Sequence, residues 1–216
     1  MNELPPAPGR PPAPGRPRSG EASARILRAT VELLAEGGAA GVSVDAVAAR
    51  AGVSRPTVYR RWAGRTELVA AAVRDAFAQA NPEAPHTEDP LADLVTVLSN
   101  TVSLLTGTEL GRVIAGLVSE LPRSPELAAA LHEVERERRE VLRQVLRRAQ
   151  AEHRLRPADV DLAVDLLLGP VYLRLLVTGD PVPAGLATEL AELVVDPALP
   201  GSDRSDAGRI PSDGVN

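Results

Sequence analysis

Apolar residues recur at helical spacing along most of this chain, and nowhere do they alternate with polar ones for more than a few positions. The pattern predicts an all-α protein of about nine helices. A first helix over residues 20–36 carries an apolar stripe of Ala24, Leu27, Val31 and Leu34, with Ile26 and Ala35 alongside, and Gly37 and Gly38 stop it. Val44, Val47, Ala48 and Ala51 mark one face of a short second helix, and a third follows Ser54. A fourth over residues 64–79 turns Leu68, Val69, Ala72, Val73, Ala76 and Phe77 inward, and the Pro-rich segment 81–90 breaks the chain after it. Helices over 91–105 and 109–120 follow. Ser124 then caps a long helix that runs to residue 153, with Pro125 in its first position. Its inward side is Leu127, Leu131, Val134, Val141, Leu142, Val145 and Leu146, and the charge run EVERERRE reads as a solvated face. Asp159 starts a helix to residue 177, and Ala184 opens the last, to residue 195.

Residues 43–68, SVDAVAARAGVSRPTVYRRWAGRTEL, are the most informative stretch. Ser43 stands where its hydroxyl can accept from a helix's first N–H groups. Gly52 closes that helix, because the stop needs a residue that tolerates positive φ. Val53 plugs the corner, Ser54 caps the next helix, and Pro56 falls in its first turn, where a missing N–H costs little. Arg55, Thr57, Tyr59 and Arg60 then point outward, with Val58 and Trp62 inward. Two short helices about a glycine-bearing turn predict a helix-turn-helix, whose second helix enters a DNA major groove. Arg reads guanine bidentately, while Thr and Tyr reach bases or phosphates. The alternative is a helical hairpin with a solvated basic face.

Charge favours the DNA reading. The net charge of −5 divides unevenly: residues 1–66 carry ten Arg against five acids, a net of +5, and residues 67–216 carry 14 Arg against 24 acids, a net of −10. A basic reader joined to an acidic domain with another task has this footprint. All 24 basic residues are Arg, and Cys is absent, which removes disulfides and thiolate metal sites. The only aromatics are Tyr59, Trp62, Phe77 and Tyr172. The N-terminal residues form no signal peptide, and the longest apolar run, residues 166–177, is too short for a span and is interrupted by Arg174. The expectation is a cytoplasmic protein without a membrane segment. Residues 1–19 read as a disordered arm in which PPAPGR occurs twice. Arg10, Arg16 and Arg18 lie in it, and its two Gly-Arg-Pro units resemble an AT-hook core that lies in a narrow minor groove. The alternative is a solvated tail. Residues 197–216 read as a disordered tail.

The segment GRPRSGEASARILRATVELLAEGGAAGVSVDAVAARAGVSRPTVYRRWAGRTELVAA resembles the DNA-binding domain of the TetR family of bacterial transcriptional regulators, most specifically in SVDAVAARAGVSRPTVYRRW. Residues 155–179 are similar, less specifically, to one type of TetR C-terminal domain. The resemblance implies a DNA-binding domain over residues 20–66 and a ligand-binding and dimerisation domain over 67–196. It implies a homodimer on a palindromic double-stranded operator, usually a repressor, released by a small-molecule effector. Ser43 and Ser54 fall at its phosphate-contacting positions, and Arg55, Thr57 and Arg60 at its base- and backbone-facing ones. Tyr59 matches its recognition-helix Tyr, and Arg65 replaces a phosphate-contacting Lys. Val44 and Pro56 complete the set. Ala39 stands where many members have an aromatic, and Gly64 where the helix cap is often Ser or Asn.

The helices over 159–177 and 184–195 are predicted to build the dimer interface. The first contains LLLGPVYLRLLV, apolar nearly all round, and Gly169-Pro170 should kink it. The effector pocket is expected among Phe77, Arg112, Ser119, Glu120, His132, Tyr172 and Arg174. Arg174 interrupts an apolar run and should pair with Asp165, with Glu120, or with an anionic ligand. No residues have triad or metal-ligand spacing, so neither catalysis nor a cofactor is expected. An architectural DNA binder without an effector is the alternative reading.

Overall fold

The computed structural model describes residues 18–197, with side chains from Gly20 onward. Among them run nine α-helices: α1 (Arg18–Gly37), α2 (Val44–Ala51), α3 (Arg55–Tyr59), α4 (Arg65–Ala80), α5 (Pro90–Gly107), α6 (Leu110–Glu120), α7 (Pro125–Ala151), α8 (Val160–Leu173) and α9 (Leu186–Val194). The chain is all-α. An isolated antiparallel bridge, Leu155 with Val195, is its one extended pairing among the described residues. Arg18 opens α1 instead of belonging to an arm; Arg10 and Arg16 lie outside the described residues.

Two compact units result, and they do not divide at residue 66. One is the chain up to Asp75 with Arg112–Ala130, and the other is Ala76–Gly111 with Leu131 onward. Helices α4, α6 and α7 therefore each contribute to both.

In the first unit, α1 packs on α2. Its buried face is Ile26, Ala29, Thr30 and Leu34, turned from the predicted stripe: Ala24 is exposed, and Leu27 and Val31 are partly so. The cause is Thr30, fully buried because its hydroxyl donates to the Ile26 carbonyl at 2.8 Å. A polar side chain that satisfies itself on its own helix can enter a core, and apolarity alone does not mark it. Val44, Val47, Ala48 and Ala51 of α2 and Val58 of α3 are buried as the spacing predicted.

In the second unit, α5 and α8 both pack on α9. Asp89 caps α5, accepting from Leu91 N at 3.1 Å, with Pro90 in the first turn. One buried carboxylate organises the unit. Asp93, 3% exposed, accepts from Arg148 Nη1 at 2.8 Å, from Thr87 Oγ1 at 2.8 Å and from Thr87 N at 3.0 Å. Burial raises its pKa, but the Thr87 and Arg148 hydrogen bonds outweigh that, and the carboxyl sits below its usual range. Arg148 also donates to the Pro85 and Thr87 carbonyls, so one guanidinium ties α7 to the segment before α5. The α5–α6 corner is tight: a Cβ on Gly111 would run into the Leu105 carbonyl oxygen. Gly169-Pro170, where a kink is expected, lies inside α8. The helix continues through Pro170 and changes only at a π-helical turn, Arg174–Thr178, closed by Gly179 in the left-handed region.

Candidate functional site

The helix-turn-helix is built as its local chemistry dictates. Ser43 Oγ accepts from Ala46 N at 3.1 Å, so α2 starts where a short polar side chain can satisfy it. Gly52, at φ 66°, ends α2, and its N–H reaches the Ala48 and Ala49 carbonyls. Ser54 is extended and precedes α3, but its side chain does not cap: its hydroxyl bonds the Thr57 hydroxyl at 2.9 Å. Pro56 lies in the first turn, and Val58 anchors α3 at 1% exposure.

The outer surface of α3 is polar and open. Arg55, Pro56, Tyr59 and Arg60 are exposed and Thr57 partly so; Tyr59, at 55%, is a large aromatic standing in water. Beside α3 lies a groove of about 670 Å³ lined by Ala22 and Arg25 of α1 and by Val53, Ser54, Thr57, Arg60 and Arg61. Arg61 is held in place by Ser23 Oγ at 2.8 Å and the Thr57 carbonyl at 2.9 Å. Arg55 pairs with Asp45, both well exposed, and Arg50 forks onto Glu36 at 2.8 and 2.9 Å. That hydrogen bond holds the Glu36 carboxyl below its usual pKa. Two predicted contact residues face elsewhere. Val44 is 8% exposed and belongs to the core, because it opens the inward stripe of α2. Arg65, 38% exposed, is held by protein partners, donating to the Ala39 carbonyl, with Glu120 at 3.7 Å.

The residues predicted for a ligand pocket divide between the two units: Arg112, Ser119 and Glu120 lie in the first, and Phe77, His132, Tyr172 and Arg174 in the second. Arg112, Ser119 and His132 are exposed, and Ser119 donates to the Gly116 carbonyl at 2.7 Å. Glu120 pairs with Arg65. Arg174 meets neither Asp165 nor Glu120: it donates to the Pro181 carbonyl at 3.1 Å, because the π turn aims it along the chain, and Asp165 is taken by Arg139 at 2.7 Å. Phe77 and Tyr172 do converge, on a residue absent from that set. The Arg138 guanidinium lies 4.9 Å from the Phe77 ring centroid and 5.5 Å from that of Tyr172.

Residues 26–72 match the model of bacterial regulatory proteins of the tetR family, and residues 84–194 match the tetracyclin repressor-like C-terminal domain. The chain is 34% identical over 162 residues to the uncharacterized HTH-type transcriptional regulator YdeS of Bacillus subtilis, covering 73% of this chain and 79% of YdeS. The crystal structure of the TetR family transcription regulator SCO0332 is similar, with a TM-score of 0.62 and 33% identity, over 79% of this chain and 94% of that one. The protein belongs to the TetR family. It is a transcriptional regulator with a helix-turn-helix DNA-binding domain, and not an enzyme. The fold alone is shared with the regulator FadR from Bacillus subtilis, solved with stearoyl-CoA, at a TM-score of 0.64 and 22% identity over 80% of this chain and 97% of FadR.

On this TetR framework, three residues join those the sequence pointed to. Arg25 and Arg61 complete the groove beside α3; Arg25 stands on the polar side of α1, and the adjacent Arg60-Arg61 pair was its other signal. Arg138 is the third. It lies inside the run taken as solvated, yet its side chain is only 7% exposed. The signal was register: it falls four residues after Val134 and four before Leu142, both buried. Among the described residues no single helix is long and apolar enough to cross a membrane.

Proposed function

We propose that this TetR-family regulator is a homodimeric repressor that binds a palindromic operator and is released by a small molecule. The observation that carries the reading is the open surface of α3, with Arg55, Thr57, Tyr59 and Arg60 beside a groove lined by Arg25 and Arg61. In this reading Thr57, Tyr59 and Arg55 meet base edges, and Arg60, Arg25, Ser43, Ser54 and Pro56 meet the backbone around them. Arg55 first exchanges Asp45 for a DNA acceptor, an exchange that an exposed ion pair permits at little cost. Arg65 supports the interface from behind through Ala39. The arm with Arg10 and Arg16 adds a minor-groove contact.

A second exposed feature supports the dimer. Leu162, Leu166, Leu173 and Val177 project at four-, seven- and four-residue steps along α8 and its π turn, 47–75% exposed, with Leu193 of α9 at 68%. An apolar row of this kind on a soluble helix marks an interface. A two-fold dimer supplies two α3 helices, and half-sites read by such a pair lie about 34–36 Å apart or a multiple of that. Light scattering on the protein with Leu166→Glu and Leu173→Glu checks it; the expected product is a folded monomer. The FadR neighbour, solved with stearoyl-CoA, supports effector control on this architecture.

Selection of bound sites from random DNA with the full-length protein tests the whole reading. The expected product is one enriched palindrome. Salt-sensitive binding without an enriched motif would replace the operator reading with architectural binding.

A further inference from the structure

Arg138 has a geometry that its helix does not need. A leucine at this register would pack the same face of α7 without a charge. Glu135 occupies one edge of the guanidinium: Nε donates to it at 3.0 Å, and Nη2 at 2.7 and 2.8 Å. The Phe77 ring of α4 and the Tyr172 ring of α8 attract the cation. Ring contacts engage the faces of the guanidinium, whereas its N–H bonds lie in plane and still need acceptors. Nη1 has none: it is closed to solvent and no acceptor lies within reach. The side chain is 7% exposed, so water does not meet it from outside. A buried charged donor without an acceptor is disfavoured in a finished core, and it is what a polar recognition site looks like before its ligand arrives.

The unused hydrogens define the ligand. With one Glu135 oxygen on Nε and both on Nη2, the free arm of the guanidinium fork is Nη1, whose two hydrogens are left for the oxygens of a planar anionic group. Glu135 and Asp165 already stand close by, sharing Arg139 at 3.0 and 2.7 Å. A doubly charged group would meet that repulsion twice, so a monoanion fits better. The flanks are rings, and the α7 residues one turn away on either side, Val134 and Leu142, are apolar. Burial raises the Tyr172 pKa, which keeps the phenol neutral beside an anion.

We infer that Arg138, flanked by Phe77 and Tyr172, is the recognition point of the effector site, and that the effector is an apolar small molecule bearing a carboxylate. The inference rests on the effector-controlled reading above and gives it a ligand chemistry.

Calorimetric titration of the full-length protein tests it with three acids, benzoate, 3-phenylpropionate and decanoate, each against its own primary amide. At least one acid should bind tenfold or more tightly than its amide, and Arg138→Met should erase that preference while melting cooperatively. If Arg138→Met does not fold, Arg138→Lys decides: it keeps the charge and lacks the fork, so the acid should weaken by about tenfold. Equal binding of acids and amides, no binding of any acid at millimolar concentration, or a preference that survives the substitutions overturns the assignment and leaves Nη1 bonded to an internal water only. DNA release is read separately. An acid that binds through Arg138 without freeing the operator keeps the site and removes effector control. A compound that frees the operator with equal potency in the Arg138 variants keeps effector control and removes the site.

Discussion

Arginine is the only basic side chain other than histidine in this chain, and it serves in two different ways, which a few residues of each unit make plain. In the first unit Arg50 and Arg55 sit in exposed ion pairs, and Arg60 and Arg25 stand in water at the edge of a groove. In the second, Arg148 and Arg154 are 20% and 9% exposed, tied to Asp93, Asp89 and backbone carbonyls. Solvation makes the difference. A solvated guanidinium can trade one anion for another at little cost, which is what a phosphate-binding surface needs. A desolvated one has lost water and depends on the partner it was given. Burial, not residue type, thus separates charges that are open to an anion from charges that hold helices together.

The largest test of that contrast is Asp93→Ala, which strands Arg148. It should cost about 3–5 kcal/mol in urea unfolding, whereas Glu36→Ala, which leaves exposed Arg50 with Glu32 at 3.5 Å, should leave the midpoint nearly unchanged. The same carboxylate predicts acid sensitivity. Its folded pKa is depressed, so its contribution is complete above the unfolded carboxyl value near ~3.9 and is lost as pH falls through the lower folded value. Melting curves for the wild type and Asp93→Asn should therefore stay apart down to pH ~4 and draw together only below it; a separation that does not narrow in acid would refute the buried pair. Next, Gly111→Ala should cost about 1–3 kcal/mol, since the obstacle is a backbone carbonyl that cannot swing away. Gly52→Ala should cost about 1–2 kcal/mol through its left-handed backbone alone. Smallest is Asp45→Asn, which frees Arg55 and should tighten DNA binding by about two- to fivefold at low salt, with no loss of stability; weaker binding would mean that Asp45 orients Arg55 for reading.

What could be read from the sequence followed the same divide. The helix-turn-helix was legible because its geometry is local: Ser43 bonds an N–H three residues on, and Gly52 adopts a backbone that few other residues tolerate. The elements of the second unit were legible from period and breakers, within one or two residues at most ends. Side-chain partners were not. Arg174, for which the sequence suggests an acid or an anionic ligand, donates to the Pro181 carbonyl, and the π turn after α8 that carries it has no signature in composition. Thr30 and Arg138 were placed outside the core, since a pattern that scores polarity cannot see a hydroxyl satisfied on its own helix or a guanidinium covered by rings from α4 and α8. A pocket is illegible for the same reason: it depends on how distant helices pack.

The central claim is that α3 reads base sequence. The most direct measurement is the affinity ratio between the selected operator and its single-base variants, by fluorescence anisotropy at fixed salt, for the wild type, Arg55→Ala and Thr57→Ala. Loss of a reading contact should relax discrimination at one or two positions in each half-site by about 1–3 kcal/mol, roughly 5- to 150-fold, with other positions unchanged. An equal loss of affinity for every sequence, with the ratios intact in both variants, would contradict it.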